Sequence, residues 1–474
     1  MKYEKLGIPS VTVSYSDMLS VNQDASKTTT NAMPALRMTT LERSGDRVAQ
    51  APATVQDIIK AFTDPLSTEE AYSGPYSFEP EPPYIYQGDS YIEAMATMEG
   101  DLSRCVYALS PSEYTDGSPV QLPIQELVDQ MLKGTSKKPD ELIGALGPNY
   151  TYADVHSVAV NGVMAGCKPE TMPLLLAITE AMANTDIAEA LMGAQGWFSF
   201  GAIVNGPYAA EIKLNTGGPN LSGPAPLTTG VPANTSIGRF IRLMMVNIGG
   251  IEPGIFEAKG IGNPHKTSIV MAEADDESPW SQYSTDLSHN ETWPVDAQVF
   301  KDGDNTVTFF VFFGDMLNGF RASYTGPKGD TPNDAAVERI LGPIAEAAKF
   351  LSRSQQGLVA YISPAQAETL ANAGYDRRDC QEWISTHCVD TYTKATQMGL
   401  GSGVVGTVFT IQGIPINPSA GWPAEWRAPD FDPNTIVQYY PNADAIQIIV
   451  GIGSYGGLIM NGTPRWTVDI DKWR

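Results

Sequence analysis

Cys167 stands beside Lys168 and just ahead of Pro169, where the apolar spacing of Glu170–Met182 predicts a helix. A thiol placed there meets the unpaired amides and positive end of the helix, which favour its thiolate, so Cys167 is a candidate nucleophile. The same junction follows a helix predicted over Val155–Met164 with Gly166 as its C-cap, and it equally suits a small buried side chain, the common state of a free cysteine. A second candidate lies in Gly262-Asn263-Pro264-His265-Lys266. This Gly/Pro turn, ahead of a predicted strand, presents an imidazole and a cation, and His265 is the preferred acid–base group against the alternative of an exposed loop histidine. Beyond that strand, Glu273, Asp275, Asp276 and Glu277 lead into Ser278-Pro279-Trp280. The acidic run reads as a solvated loop, or as oxygen ligands for a divalent metal of unknown identity, the one cofactor these residues admit.

Two other constellations fail tests of spacing. Cys380, His387 and Cys388 fall on one predicted helix, which cannot converge all three on one zinc ion. Gly451, Gly453 and Gly456 approximate a dinucleotide loop, but no helix pattern succeeds them, and a tight loop offering amides to a ligand or a subunit is the better reading. The chain contains no P-loop, no G-x-S-x-G elbow and no H-E-x-x-H pair.

The elements that must position these groups alternate. Helices are expected at Ser90–Leu109, Ile124–Leu132, Ser236–Val246, Asp334–Leu351, Pro364–Ala373 and Arg377–Cys388. Strands are expected at Phe198–Val204, Ser268–Ala272, Thr306–Phe313, Gly357–Ile362, Val404–Ile411 and Ala445–Val450. Alternation argues an α/β fold, and no repeat at a fixed period is visible. At the start, a strand at Val11–Val13 and a helix over Thr54–Phe62, N-capped by Thr54, read as a late fragment of a doubly wound unit. One strand cannot satisfy both edges of a parallel sheet, so the missing strands come from another polypeptide, or this strand is an edge addition to the main body. The expected organisation is multi-domain: an incomplete unit over residues 1–65, a Pro-rich linker over 66–89, and an α/β body over 90–474 that divides at about residue 330.

Composition bounds the partners. Thirty Lys+Arg against 54 Asp+Glu give a formal charge of −24, which repels nucleic acid and anionic membrane surfaces. With no secretory pattern and no apolar run of spanning length, the expected location is cytoplasmic, and the four irregularly spaced cysteines are expected to be reduced thiols.

Several segments together carry a resemblance. They are Tyr114-Thr115-Asp116-Gly117-Ser118-Pro119, Asn161 to Glu170, Val204-Asn205-Gly206-Pro207, and Gly262 to Lys266 leading on to Glu277-Ser278-Pro279-Trp280. The chain resembles the selenocysteine-Gly-Ser-Cys (UGSC) family through most of its length, most specifically over Ala165–Glu170. Longer members of that family look like a flavodoxin-like domain with the redox-active selenocysteine or cysteine motif, fused to a body like this one. This chain has only the tail of the first domain, Lys5–Phe62, and no Gly-Ser-Cys triplet. The resemblance therefore implies a hetero-oligomer in which a small Cys- or Sec-containing partner subunit carries the reactive thiol or selenol, while this chain forms the pocket for a small organic substrate. A nucleophile of that kind needs a proton donor, and amides for developing charge. The candidate catalytic residues are His265, Cys167, Glu170, Asp116 and Lys266. The candidate substrate-binding residues are Thr115, Asn161, Asn205, Glu273, Trp280 and Ser454. The rival expectations are a cofactor-free lyase or hydratase using the same polar groups, and a scaffold subunit without chemistry of its own.

Overall fold

The structure, a computed structural model, describes residues 11–16, 38–41, 47–65, 116, 120–121, 123–185, 198–215, 233–251, 266, 269–288, 300–320, 333–351, 357–397, 410–411, 414–415, 432–451 and 457–474. The expected helix at Ser90–Leu109, the linker, His265, Thr115 and Ser454 lie outside the described residues. The strands in chain order are β1 (Thr12–Tyr15), β2 (Met38–Leu41), β3 (Leu142–Leu146), β4 (Thr151–Asp154), β5 (Phe198–Asn205), β6 (Ile269–Ala272), β7 (Thr306–Phe320), β8 (Leu358–Ile362), β9 (Val389–Thr391), β10 (Thr410–Ile411), β11 (Ile414–Pro415), β12 (Ile436–Gln438), β13 (Ile446–Val450) and β14 (Gly457–Asp469). The helices are α1 (Arg47–Thr63), α2 (Gln125–Leu132), α3 (Val155–Met164), α4 (Met172–Asn184), α5 (Tyr208–Glu211), α6 (Ala233–Asn247), α7 (Tyr283–Ser288), α8 (Asn333–Leu351), α9 (Pro364–Asn372), α10 (Arg377–His387) and α11 (Tyr392–Gln397).

The fold is α/β, built on a mixed six-stranded curled sheet of order β13-β8-β14-β7-β5-β6. Its strands are short apolar runs such as Phe198–Asn205 and Ile446–Val450, buried along their whole length, as strands covered on both faces must be. Alternation still sorts the two faces. Ile203, Ile269, Met271, Phe310, Phe312, Val359, Tyr361, Ile449 and Met460 come from all six strands and form one cluster on the concave face. Their neighbours in the strands point outward. On β5, β6 and β7 these pack against α3, α4 and α6, and on β8 and β13 against α8, α9 and α10.

The topology repeats. In one half, β5 is followed by α6, by the parallel neighbour β6, and by the long strand β7 antiparallel to β5. In the other half, β8 is followed by α9 and α10, by the parallel neighbour β13, and by the long strand β14 antiparallel to β8. The two long strands pair with each other in the middle of the sheet, Thr306 opposite Asp469 and Gly457 opposite Phe320. Matching backbone bonds set the correspondence: Glu273 N donates to Val204 O and Gly451 N to Ile362 O, both at 3.0 Å. Glu273 in the first half thus occupies the place of Gly451 in the second. The absence of a fixed sequence period hid this, because the inserts between corresponding strands differ in length. The edge strands β6 and β13 meet at their ends, where Ala274 N donates to Val450 O at 2.8 Å.

At the N-terminal side, β1 and β2 form a separate two-stranded parallel sheet, and α1 packs against β2. The sequence reading found β1 and missed β2. It also placed the helix start too late: Thr54 is not an N-cap but lies inside α1, its hydroxyl bonded to Gln50 O at 3.2 Å, as an internal threonine commonly does. Among the described residues no helix is long and apolar enough to cross a membrane.

Candidate active site

The polar centre forms where β5 and β6 end beside β13. β5 stops at Asn205-Gly206-Pro207, and Gly206 has φ +91°, with a Cβ there falling 2.5 Å from Asp304 O, so only glycine makes this turn. The turn leaves Asn205 directed across to the residues that follow β6. Its Nδ2 donates to Glu273 Oε2 at 2.7 Å and to Asp275 Oδ1 at 2.8 Å, so one amide bridges two carboxylates. Gly206 N donates to the other oxygen of Asp275 at 2.6 Å.

Glu273 is buried and takes four donors from four segments. Besides Asn205, these are Tyr283 N at 2.6 Å, Val450 N at 3.1 Å and Arg377 Nη2 at 2.8 Å. Arg377 reaches it because α10 begins there, with Asp376 as N-cap in a reciprocal box with Asp379 that fixes the first turn. The guanidinium is also buried, pairs through Nη1 with Asp286 on α7, and lies 5.7 Å from the Trp280 ring and 5.8 Å from the Tyr283 ring. Trp280 is held by its indole N–H on Tyr375 O, and Tyr283 by its hydroxyl on Gln447 Oε1. Asn205 Oδ1 and Arg377 Nε, both buried, have no hydrogen-bond partner among the described residues.

The electrostatics single out Asp275. Burial, and next the charge of Glu273, push its carboxyl up to about 7, against the hydrogen bonds from Gly206 and Asn205 and the field of Arg377. Asp275 is only partly buried, so it is the member of the pair that can exchange protons with solvent. Asp286 is raised too, chiefly by burial, with Arg377 opposing.

The structure brings together three of the residues singled out from sequence: Asn205, Glu273 and Trp280. Asn161, Cys167 and Asp116 instead converge on one face of α6. Asn161 Oδ1 accepts from Asn247, Asp116 makes a bidentate pair with Arg239 at 2.8 and 2.9 Å, and Cys167 hydrogen-bonds with Ser236 and Thr171. The argument for an ionised Cys167 fails on its physical premise. Burial drives this thiol up to about 12 despite those bonds, while Lys168, expected to favour the thiolate, is exposed. Cys380 and Cys388 are likewise raised by burial. Glu170 has an exposed side chain and contributes its carbonyl, which accepts the Tyr208 hydroxyl at 2.5 Å. Lys266 lies half-buried in a turn and is engaged in interactions of its own. The acidic run divides: Asp276 and Glu277 are exposed, as a solvated loop requires, whereas Asp275 belongs to the centre. No group of three or more His, Cys, Asp or Glu among the described residues is arranged to hold a metal ion.

Arg377, Tyr283 and Asp286 carry no functional expectation from sequence, and Asp275 figures only as one of an acidic run. Arg377 opens a helix 104 residues beyond Glu273, and no local pattern joins them. The signal that could have served is the pair of acidic residues directly following a buried strand, where a nearby cation or a retained proton is required.

The thiol finding is directly testable. Iodoacetamide applied to native protein at about pH 8 is expected to leave Cys167, Cys380 and Cys388 unmodified, with all three labelled after unfolding, as read by peptide mass spectrometry. Rapid native labelling of Cys167 would restore it as a nucleophile.

No protein-family model, curated protein or solved structure matches the chain.

Proposed function

We propose that this chain is the large subunit of an enzyme acting on a small organic substrate, with Asp275 as its proton-exchanging group and the nucleophilic thiol or selenol supplied by a small partner subunit. The carrying observation is the Glu273–Asp275 pair bridged by the Asn205 amide, with Asp275 held near neutrality and partly open to solvent. A general acid–base is most effective when its pKa lies near the working pH. The unpartnered Asn205 Oδ1 and Arg377 Nε are the acceptor and donor left to orient a ligand. That the described thiols are all buried and protonated is in keeping with a nucleophile brought by another chain.

The partner's place is the β1–β2 unit. Among the described residues this parallel sheet has two strands and open edges, and α1 carries Val55, Ile59 and Phe62 exposed at helical spacing, with Val13 of β1 exposed as well. Parallel strands from the small subunit would extend this sheet and cover that stripe. The assembly is then a hetero-oligomer of the kind the UGSC resemblance implies.

A second reading is favoured by the same carboxylate pair: a lyase or hydratase in which Asp275 works without sulfur. Affinity purification of the tagged chain from its native host, with intact-mass analysis, is expected to give a stoichiometric small subunit. Alkylation of that assembly should abolish turnover under the first reading and spare it under the second. Asp275→Asn is expected to remove one limb of the pH–rate profile under either. An assembly whose turnover ignores Asp275→Asn would leave the chain as a scaffold.

A further inference from the structure

We propose that the seam where β6 meets β13 is a proton-operated latch, closed while Asp275 is protonated beside Glu273 and loosened when that proton leaves. This goes beyond the reading of Asp275 as a catalytic group and does not depend on it.

The seam is tied through Glu273 and Ala274. β6 and β13 are the two edges of the curled sheet, and among the bonds joining their ends are Ala274 N to Val450 O and Val450 N to Glu273 Oε1. Ala274 lies between the two carboxylates in sequence, so any movement that separates them pulls on it. Glu273 also anchors the start of α7 through Tyr283 N and the start of α10 through Arg377. One side chain therefore holds both edges of the sheet and two helices in register.

The charges around it are unbalanced. Facing the pair are the Asn205 amide and Gly206 N from the end of β5, and Arg377 from α10. Arg377 is shared with Asp286 of α7. Asp302, before β7, accepts from Gln282 N and adds its negative field at Asp286. Asp276 and Glu277, on the same turn as Asp275, are exposed and add no cation. Among the described residues three carboxylates thus surround one guanidinium, and two of them share a single amide. With all three ionised, the like charges of Glu273 and Asp275 repel across the Asn205 amide in a poorly hydrated site. Glu273 is fixed by its four donors, so the partly exposed Asp275 turn is the part that yields. Ala274 then leaves Val450.

Amide exchange measured across about pH 5.5 to 8.5 on the full-length protein, corrected for the intrinsic pH dependence of exchange, tests this. Protection of the Gly206, Ala274 and Ser278 amides, which bond to Asp275, to Val450 O and across the Asp275 turn, is expected to fall roughly tenfold between about pH 6 and about pH 8, with Ile203 and Val311 in the same sheet unchanged. In Asp275→Asn the three amides should show no pH dependence, whatever their level. Should that variant not fold, a carbon-13 titration of the Asp275 carboxyl in the wild-type protein is expected to move in the same window as the three amides. The latch is overturned by pH-independent protection, by a loss spread evenly over the sheet, by pH dependence retained in Asp275→Asn, or by an Asp275 resonance that does not move with the amides.

Discussion

Arg377→Met is expected to cost about 3–5 kcal/mol of folding stability, measured by denaturant unfolding at about pH 8, although it nearly preserves side-chain bulk. The guanidinium is 3% exposed and serves Glu273, whose carboxylate is 0% exposed, and Asp286 on another helix. Removing the cation leaves buried negative charge uncompensated, which is far more damaging than never having had the pair. The double variant Glu273→Gln with Arg377→Met should therefore be more stable than Arg377→Met alone, since the glutamine amide leaves no net charge behind. Asp275 reports the same event, because Arg377 is among the groups that lower its carboxyl, so its titration should move upward in Arg377→Met. A double variant less stable than the single one would show that bulk and local bonds, not charge balance, set the contribution of Arg377.

Phe310→Ala should have an effect of similar size, about 3–5 kcal/mol, through a different mechanism. Phe310 is fully buried on the concave face of the curled sheet, stacked on Phe312 at 5.5 Å and on Tyr283 at 5.9 Å. The cavity left by alanine is walled by strands of both halves, which cannot collapse without breaking the β7–β14 ladder. The loss is expected to be independent of pH across about 5.5 to 8.5 when referenced to wild type, unlike that of Arg377→Met. A cost under about 1.5 kcal/mol would mean that the concave face repacks freely.

Wild-type stability itself carries the mark of Asp275. Its folded carboxyl, raised to about 7 from 3.8, binds its proton more tightly in the native than in the unfolded chain. This contribution is fully present below about 3.8, declines as pH rises and is lost once pH passes about 7, so most of the decline precedes the window of about pH 6 to 8 expected of the latch.

The elements legible from sequence were those whose local pattern and burial agree. Phe198–Asn205, Ile269–Ala272, Leu358–Ile362 and Ile446–Val450 are apolar runs bounded by turn residues, and each was found within a residue or two. Strand β14 escaped because Asn461, Gly462, Pro464 and Arg465 interrupt it, and the register slips at Met460/Gly462 and at Pro464/Trp466, where bulges accommodate the glycine and the proline. Without β14 the pairing of two antiparallel long strands could not be seen. At the polar centre, Asn205, Glu273 and Trp280 are residues that the sequence also puts forward, two of them in the segments that carry the resemblance. Asp275 resembled its exposed neighbours Asp276 and Glu277, and what sets it apart is a turn at Gly206 and a helix start at Arg377, both distant in the chain.

The place held by Glu273 in one half of the sheet is held by Gly451 in the other. A doubled scaffold would ordinarily offer a visitor at its axis two equivalent poses, related by half a turn. Here one half carries a carboxylate at that place and the other a glycine, so a molecule bound there would meet charge on one side only, and the two poses would differ in energy.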